Sequence, residues 1–201
     1  MRKLLCILAV LLAVTLPTFA QKATVFAGYS YINVDVSETK GLQTPGQITN
    51  RVSLNGWNAQ GAYLLSPHFA LAADFGGYYG TPKISGLDFK TKAHTFLFGP
   101  AVLTKKGKFM PSAHILFGGS TMTATEKSTS TDVVNGTHFS WAGGGALDYV
   151  ASKRVAIRLA QLDYVGTKMS LTDSIQTSTG LGAAKSWQNN VRYSGGLVFI
   201  F

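Results

Sequence analysis

The last twelve residues, Asn190 to Phe201, constrain the fold of this chain most strongly. Every second residue is apolar or small, and the residues between them become polar toward the upstream end: the first series is Val191, Tyr193, Gly195, Leu197, Phe199 and Phe201. A period of two predicts a β-strand with two unlike faces. Aromatic side chains favour the interface between a membrane and water. We therefore expect the closing strand of a transmembrane β-barrel.

The first twenty residues have the pattern of a secretory signal peptide. Arg2 and Lys3 precede an apolar run from Leu4 to Leu16, and a small-residue cleavage site ends at Ala20. The run is shorter than the ~20 residues of a membrane-spanning helix. We expect residues 1–20 to be removed and residues 21–201 to form one barrel domain. The only cysteine, Cys6, lies inside the signal peptide, so we expect no disulfide and no thiol chemistry in the mature chain.

The chain is basic, with 18 Lys and Arg against 9 Asp and Glu. Removing Arg2 and Lys3 lowers the net charge from +9 to +7. The remaining basic residues are scattered or lie at short turns, so we expect no nucleic-acid partner. They suit a solvated rim that faces anionic lipid headgroups.

Eight segments after the signal peptide alternate with a period of two: 24–34, 54–65, 69–79, 94–103, 109–121, 138–150, 155–164 and 190–201. Their connections alternate between long and short, and the long ones are 37–52, 80–91, 122–137 and 165–188. Short periplasmic turns, longer outer loops and an even strand count are typical of outer-membrane barrels. The sequence therefore predicts an all-β, eight-stranded, antiparallel, up-and-down transmembrane barrel.

A soluble eight-stranded barrel such as a lipocalin is the competing fold, with its apolar face inside. The signal peptide, the terminal Phe201 and the aromatic residues near both strand ends favour the membrane barrel. We assign the interface aromatics as Tyr31, Trp57, Tyr63, Tyr79, Trp141 and Tyr149. The opposite face carries residues that suit a polar barrel interior: Asn58, Gln60, Asp74, His114, Asp148, Arg158 and Arg192.

We predict that the polar residues of this inner face form one network that fills the lumen. Asp148 and Arg158 flank the turn at Ser152 and should form an ion pair, which Arg192 on the neighbouring strand could extend. Asp74 and His114 each lie five residues from a short turn and should have similar depth. Charges in such a narrow interior persist only when paired. A satisfied polar core is favoured over a gate or narrow conduit.

His138 and Ser140 form the one arrangement with a catalytic parallel, because some lipid A deacylases use a His-x-Ser pair with a nearby acid. Asp148 lies far down the same strand, and the pair faces inward, away from lipid. We therefore expect no catalytic residues and no enzymatic activity. We also expect no metal or cofactor site, because the histidines fall on different segments at different heights: His68, His94, His114 and His138.

The seventh segment does not fit a simple alternation. Ile157 and Leu159 point outward, and the same parity would send Gln161 and Asp163 toward lipid. Either a bulge near Ala160 resets the register or these two residues stand above the bilayer. We expect the second alternative, because Tyr164 marks the outer interface.

Several stretches resemble the OmpA-like and OmpX-like family of small outer-membrane barrels: Phe26–Tyr31, Asn55–Asn58, Ala73–Phe75, Phe98–Pro100, Gly143–Asp148, Ala156–Arg158 with Asp163–Tyr164, and Asn189–Phe201. The alternation ending in phenylalanine is similar to the signal read by the outer-membrane assembly machinery, which here would comprise Tyr193, Leu197, Phe199 and Phe201. No periplasmic peptidoglycan-binding domain is expected after Phe201.

The resemblance and the strand pattern imply a monomeric bacterial outer-membrane protein with a structural or surface-interaction role. Its expected partners are outer-membrane lipids, lipopolysaccharide, the assembly machinery and a surface ligand bound by the four long loops. A small low-conductance porin and a lipid A-modifying enzyme are the alternatives. A porin needs an open lumen, and an enzyme would change the mass of lipid A.

Overall fold

The computed structural model describes residues 23–35, 51–81, 83–84, 87–126, 132–170 and 185–201. The predicted signal peptide lies outside the described residues. The strands are β1 Ala23–Asp35, β2 Arg51–Leu64, β3 Phe69–Gly80, β4 Lys83–Ile84, β5 Leu87–Leu103, β6 Phe109–Glu126, β7 Asp132–Val150, β8 Val155–Ser170 and β9 Lys185–Ile200. The described residues contain no helix that is long and apolar enough to cross a membrane.

The sheet closes on itself as an up-and-down antiparallel barrel of eight long strands. Strands that follow one another in the chain pair side by side, and β1 pairs with β9 to close the ring. The two-residue strand β4 pairs only with β5, so β3 and β5 are neighbours in the barrel. Closure leaves no edge strand among the eight. The predicted fold class is confirmed.

The strands extend into all four long loops predicted from the sequence. β2 begins inside predicted loop 37–52, β5 inside 80–91, and both neighbouring strands enter 122–137 and 165–188. Those predicted bounds are therefore wrong at these positions. Polar stretches rich in threonine continue the ladder because backbone hydrogen bonds stabilise the strand pair and β-branched side chains favour the strand conformation. Residues 36–50, 127–131 and 171–184 lie outside the described residues.

Short turns join the strands at the end of the barrel that carries both described termini. They comprise residues 65–68, 104–108 and 151–154. Gly107 has a φ of 61° in the second of these turns, a backbone conformation that favours glycine over residues with a Cβ. We call this the turn end of the barrel, and the opposite end the loop end.

Apolar side chains share the interior with polar ones, which differs from a purely polar lumen. Near the turn end, Phe26 packs with Ala156 and Val198. Near the loop end, Leu54 packs with Tyr78 and Ile32. An eight-stranded barrel is just wide enough for side chains to fill it, so small apolar residues complete the packing around the polar groups.

Candidate functional site

Arg192 on β9 is the centre of the buried polar network. Its side chain is 0% exposed. Nη1 donates to Asp74 Oδ1 at 2.6 Å, and Nη2 donates to Asp74 Oδ2 at 3.2 Å, so the pair is bidentate across the lumen. Nε donates to Asp163 Oδ2 at 2.7 Å. A planar guanidinium can satisfy two carboxylates at once, which makes arginine suited to this position.

Arg158 on β8 forms the second ion pair, with Asp148 directly opposite on β7. Its Nε and Nη2 donate to the two carboxylate oxygens of Asp148 at 2.8 and 3.1 Å. The guanidinium carbon lies 4.3 Å from the centre of the Phe26 ring, so the ring covers the side of the cation. The predicted Asp148–Arg158 contact is present in the structure.

Two glutamines connect these ion pairs. Gln161 accepts from Arg158 Nη1 at 2.6 Å and donates to Asp163 Oδ2 at 2.7 Å. Gln60 accepts from the same Nη1 at 3.0 Å, and its amide nitrogen lies 3.4 Å from Asp74 Oδ2. An amide both donates and accepts, so each glutamine links a cation to an acid without adding charge. The result is one connected network rather than two separate pairs.

His114 reaches the network across an intervening strand. His114, Gly144, Asp163 and Arg192 lie in one row over β6, β7, β8 and β9. His114 Nε2 is 2.9 Å from Asp163 Oδ1. A Cβ on Gly144 would lie 2.1 Å from Asp163 Oδ1. The missing side chain of Gly144 therefore makes room for the carboxylate.

A bulge in β8 turns Gln161 and Asp163 into the lumen. The ladder register shifts between Leu147 and Asp148 against β7, and between Arg158 and Gln161 against β9. Gln161 is 0% exposed and Asp163 is 2% exposed. The expectation that these two residues stand above the bilayer is wrong. The extra residue at Leu159–Ala160 resets the alternation, as the rejected alternative proposed.

The structure brings together the five residues assigned to the lumen from the sequence: Asp74, His114, Asp148, Arg158 and Arg192. Arg192 contacts Asp74 and Asp163, whereas the sequence suggested an extension of the Asp148 pair. Sequence reasoning missed Asp163, Gln161 and Tyr78, whose hydroxyl lies 3.3 Å from Arg192 Nη1. The misfit in the alternation of the seventh segment was the signal that could have found the first two.

The network spans the lumen, and its charged groups lie next to groups of opposite charge. Three carboxylates face two guanidinium groups and one histidine, all of them buried. Removing one member of a buried pair leaves an uncompensated charge in a medium of low dielectric, at about 3–5 kcal/mol. The bonds from β9 to β3 and from β8 to β2 cross the lumen. The arrangement therefore joins strands on opposite sides of the lumen.

Ser140 and His138 do not present a catalytic pair to lipid. The Ser140 hydroxyl is buried and lies 2.8 Å from Ser120 Oγ, and it donates to Thr167 Oγ1 at 3.0 Å. These partners satisfy the hydroxyl inside the barrel. In the part of the chain that the structure describes, no group of three histidine, cysteine or acidic residues could hold a metal ion.

The outer wall is apolar, and aromatic residues lie toward both of its ends. Of the predicted interface aromatics, Trp57, Tyr63 and Tyr79 are exposed there, and Tyr31, Trp141 and Tyr149 are half-buried. The residues of the predicted assembly signal also face outward: Tyr193, Leu197, Phe199 and Phe201. Tyr164, which the sequence analysis places at the outer interface, is also exposed at the loop end. The sequence analysis missed three further exposed rings toward that end: Tyr29, Phe139 and Trp187.

Tyrosine hydroxyls at the loop end find polar partners on neighbouring strands. The Tyr31 hydroxyl is 2.6 Å from Ser53 Oγ, and Tyr29 donates to Asn55. Each ring therefore has an apolar body against the wall and a polar tip, which suits the boundary between hydrocarbon and headgroups.

An apolar, aromatic-rimmed exterior around a charged and hydrogen-bonded interior inverts the arrangement of a soluble protein. A lipid bilayer accommodates that surface when the strands form a closed barrel, because every backbone polar group is then paired. The fold and the site thus define a small transmembrane β-barrel with a filled lumen.

Three solved structures illustrate the similarity. Ail, the attachment invasion locus protein of Yersinia pestis, is 15% identical, with 91% of this chain and 100% of that chain covered, at a TM-score of 0.56. OprG from Pseudomonas aeruginosa is 15% identical, with 90% of this chain and 97% of that chain covered, at a TM-score of 0.57. Neisserial surface protein A is 10% identical, with 89% of this chain and 97% of that chain covered, at a TM-score of 0.56. The resemblance to small outer-membrane barrels is confirmed at the level of fold.

Sequence comparison adds no closer relative. A scan against protein-family models finds no match, and no curated protein matches the chain.

Proposed function

We propose that this protein is a bacterial outer-membrane barrel with a closed lumen and a structural or surface-interaction role. The observation that carries the proposal is the buried network centred on Arg192, which joins β9 to β3 across the interior. A lumen obstructed by paired charges conducts solutes poorly, so function falls to the outer surface and the loops.

The proposed location follows from the predicted signal peptide and the apolar outer wall. After export and removal of residues 1–20, the alternating stripe that ends at Phe201 serves as the signal for the assembly machinery. The mature barrel is then a monomer surrounded by outer-membrane lipids and lipopolysaccharide. The short turns face the periplasm, and the long connections face the cell exterior.

The neighbours support a surface role for the loops. Ail is named for attachment and invasion, and it has been crystallised in complex with the heparin analogue sucrose octasulfate. We infer that the loop end of this barrel likewise holds the specificity, in the connections between β1 and β2, β3 and β5, β6 and β7, and β8 and β9. We propose a non-enzymatic role.

Planar-bilayer recording of the folded protein tests the closed lumen. Gel mobility with and without boiling first shows that the barrel has folded. The expected result is a heat-dependent shift with no steady single-channel current. A steady current from the wild-type protein would overturn the proposal and favour the low-conductance porin.

Replacement of one outer loop, the connection between β8 and β9, tests the surface role. Residues 171–184 would be replaced by a glycine–serine segment of equal length, and binding of whole cells to immobilised sucrose octasulfate would be measured. Loss of binding with an unchanged heat shift supports a role for the loops. Equal retention of cells that express the two proteins would remove support for that role.

A further inference from the structure

The turn end of the barrel carries a concentrated positive charge. The three short turns contain no aspartate or glutamate. Two of them supply exposed cationic side chains, four of which we call the basic edge: Lys105, Lys106, Lys108 and Arg154. The nearest acid in the adjoining strands, Asp148, is buried and paired with Arg158. This acid does not neutralise the basic edge.

The two basic turns lie side by side because β6 and β7 are paired. Val150 N donates to Lys108 O at 2.7 Å, which holds the end of β7 against the first turn. Phe109 and Tyr149 are opposite each other in the ladder, and their rings contact edge to face at 5.6 Å. Lys108 Nζ lies 5.9 Å from the centre of the Tyr149 ring.

An apolar wall rises directly from this edge. Phe109, Leu147 and Ile157 are 47%, 38% and 42% exposed on the outer surface. Ile157 is the ladder partner of Tyr149 on the next strand. The surface therefore presents cations at the membrane boundary and hydrocarbon-compatible side chains immediately above them.

We propose that the basic edge and the wall above it form a binding site for an anionic phospholipid. The phosphate and the acidic headgroup lie between the two turns, which are neighbours through the pairing of β6 and β7. The acyl chains lie against Phe109, Leu147 and Ile157. An anionic headgroup is favoured over a zwitterionic one because the turns offer no carboxylate to an ammonium group.

The chemistry favours a lipid over a soluble phosphate because the cations adjoin an exposed apolar wall rather than an enclosed polar pocket. This lipid site rests on the proposed function in one respect only. The proposed orientation in the outer membrane makes the periplasmic leaflet the source of the lipid. Lipid preference in detergent depends on neither orientation nor conductance, so the two proposals can fail independently.

Native mass spectrometry of the detergent-folded protein tests the site. Phosphatidylglycerol and phosphatidylethanolamine with identical acyl chains would be titrated against wild type and against the triple variant Lys105→Gln, Lys106→Gln, Lys108→Gln. Each cation near an anionic surface is worth about a fivefold change in binding. We expect wild type to prefer phosphatidylglycerol, and the triple variant to reduce its binding by at least about tenfold.

A matched variant removes the same charge from the loop end: Lys90→Gln, Lys92→Gln and Lys168→Gln, all at exposed positions. It should keep the wild-type preference, and all variants should keep the heat-dependent gel shift. If the triple variant fails to fold, Lys106→Gln alone should weaken binding about fivefold. Equal binding of the two lipids by wild type, or equal losses in both triple variants, would overturn the proposal.

Discussion

Removal of the Asp148 carboxylate should destabilise the barrel strongly, because it leaves the buried guanidinium of Arg158 without its anion. Asp148→Ala deletes two charge-assisted hydrogen bonds, at 2.8 and 3.1 Å, from the guanidinium of Arg158. The remaining acceptors, Gln60 and Gln161, are neutral. Arg158 is only 5% exposed, so water cannot replace the lost anion. We expect a loss of about 3–5 kcal/mol in the free energy of unfolding.

The assay is reversible urea unfolding in lipid vesicles, followed by tryptophan fluorescence. A double-mutant cycle with Arg158→Met isolates the pairwise interaction from effects on the two separate sites. We expect a coupling energy of about 2 kcal/mol or more, within the range for residues in one ion-pair network. Lys92→Ala, at an exposed position, is the control and should change stability by less than about 0.5 kcal/mol.

Additive effects of Asp148→Ala and Arg158→Met, within about 0.5 kcal/mol, would refute the assignment of a coupled pair. An Asp148→Ala protein that unfolds at the same urea concentration as the Lys92→Ala control would refute the reasoning about the interior as a whole. It would mean that water or mobile ions reach the guanidinium, and that the lumen is more open than its contacts indicate.

Three other substitutions test separate parts of the description. Gly144→Ala should lower the free energy of unfolding, because its Cβ would lie 2.1 Å from Asp163 Oδ1 in the lumen. Gly61→Ala is the control and should not lower it, because a Cβ there meets nothing within 4 Å. Equal urea midpoints for the two variants would contradict this. Replacing Phe201 with serine should reduce the heat-modifiable, membrane-integrated protein far more than replacing Ile200, and equal losses would count against an assembly signal. Tyr78→Phe should cost less than about 1 kcal/mol, because it removes one 3.3 Å hydrogen bond from a guanidinium that keeps its carboxylates; a loss near that of Asp148→Ala would show that this hydroxyl is essential.

Alternation along the strands predicts which face each residue occupies until the backbone departs from a regular ladder. Asp74, Asp148 and Arg192 were assigned inward on parity alone, and all three are buried. Parity failed after Leu159, because a bulge adds a residue without changing the character of the side chains around it. The indication of the bulge was chemical. Parity directs Asp163 toward lipid, and an acidic side chain there is so unfavourable in free energy that the parity must change before it.

Contacts across the lumen cannot be predicted from the alternation along single strands. Arg192 and Asp74 are 118 residues apart and meet on opposite walls. Their meeting depends on the tilt and stagger of the strands, which follow from closure of the whole barrel rather than from any local pattern. Strand length is similarly hidden, because Ser- and Thr-rich ladders above the apolar wall have the composition of loops.

The position of Arg192 on the last strand has a consequence for how the barrel reaches its final state. Asp74 and Asp163 belong to earlier strands, and their shared cation arrives only with β9. A sheet that has paired β9 with β8 but has not yet joined β9 to β1 already places Arg192 beside Asp163. Asp74 on β3 still lacks its cation in that open sheet. When β9 joins β1, the last backbone ladder forms and Arg192 comes within reach of Asp74. The bonds from Arg192 to Asp74 therefore stabilise only the closed ring, whereas the pairs between neighbouring strands also stabilise an open sheet.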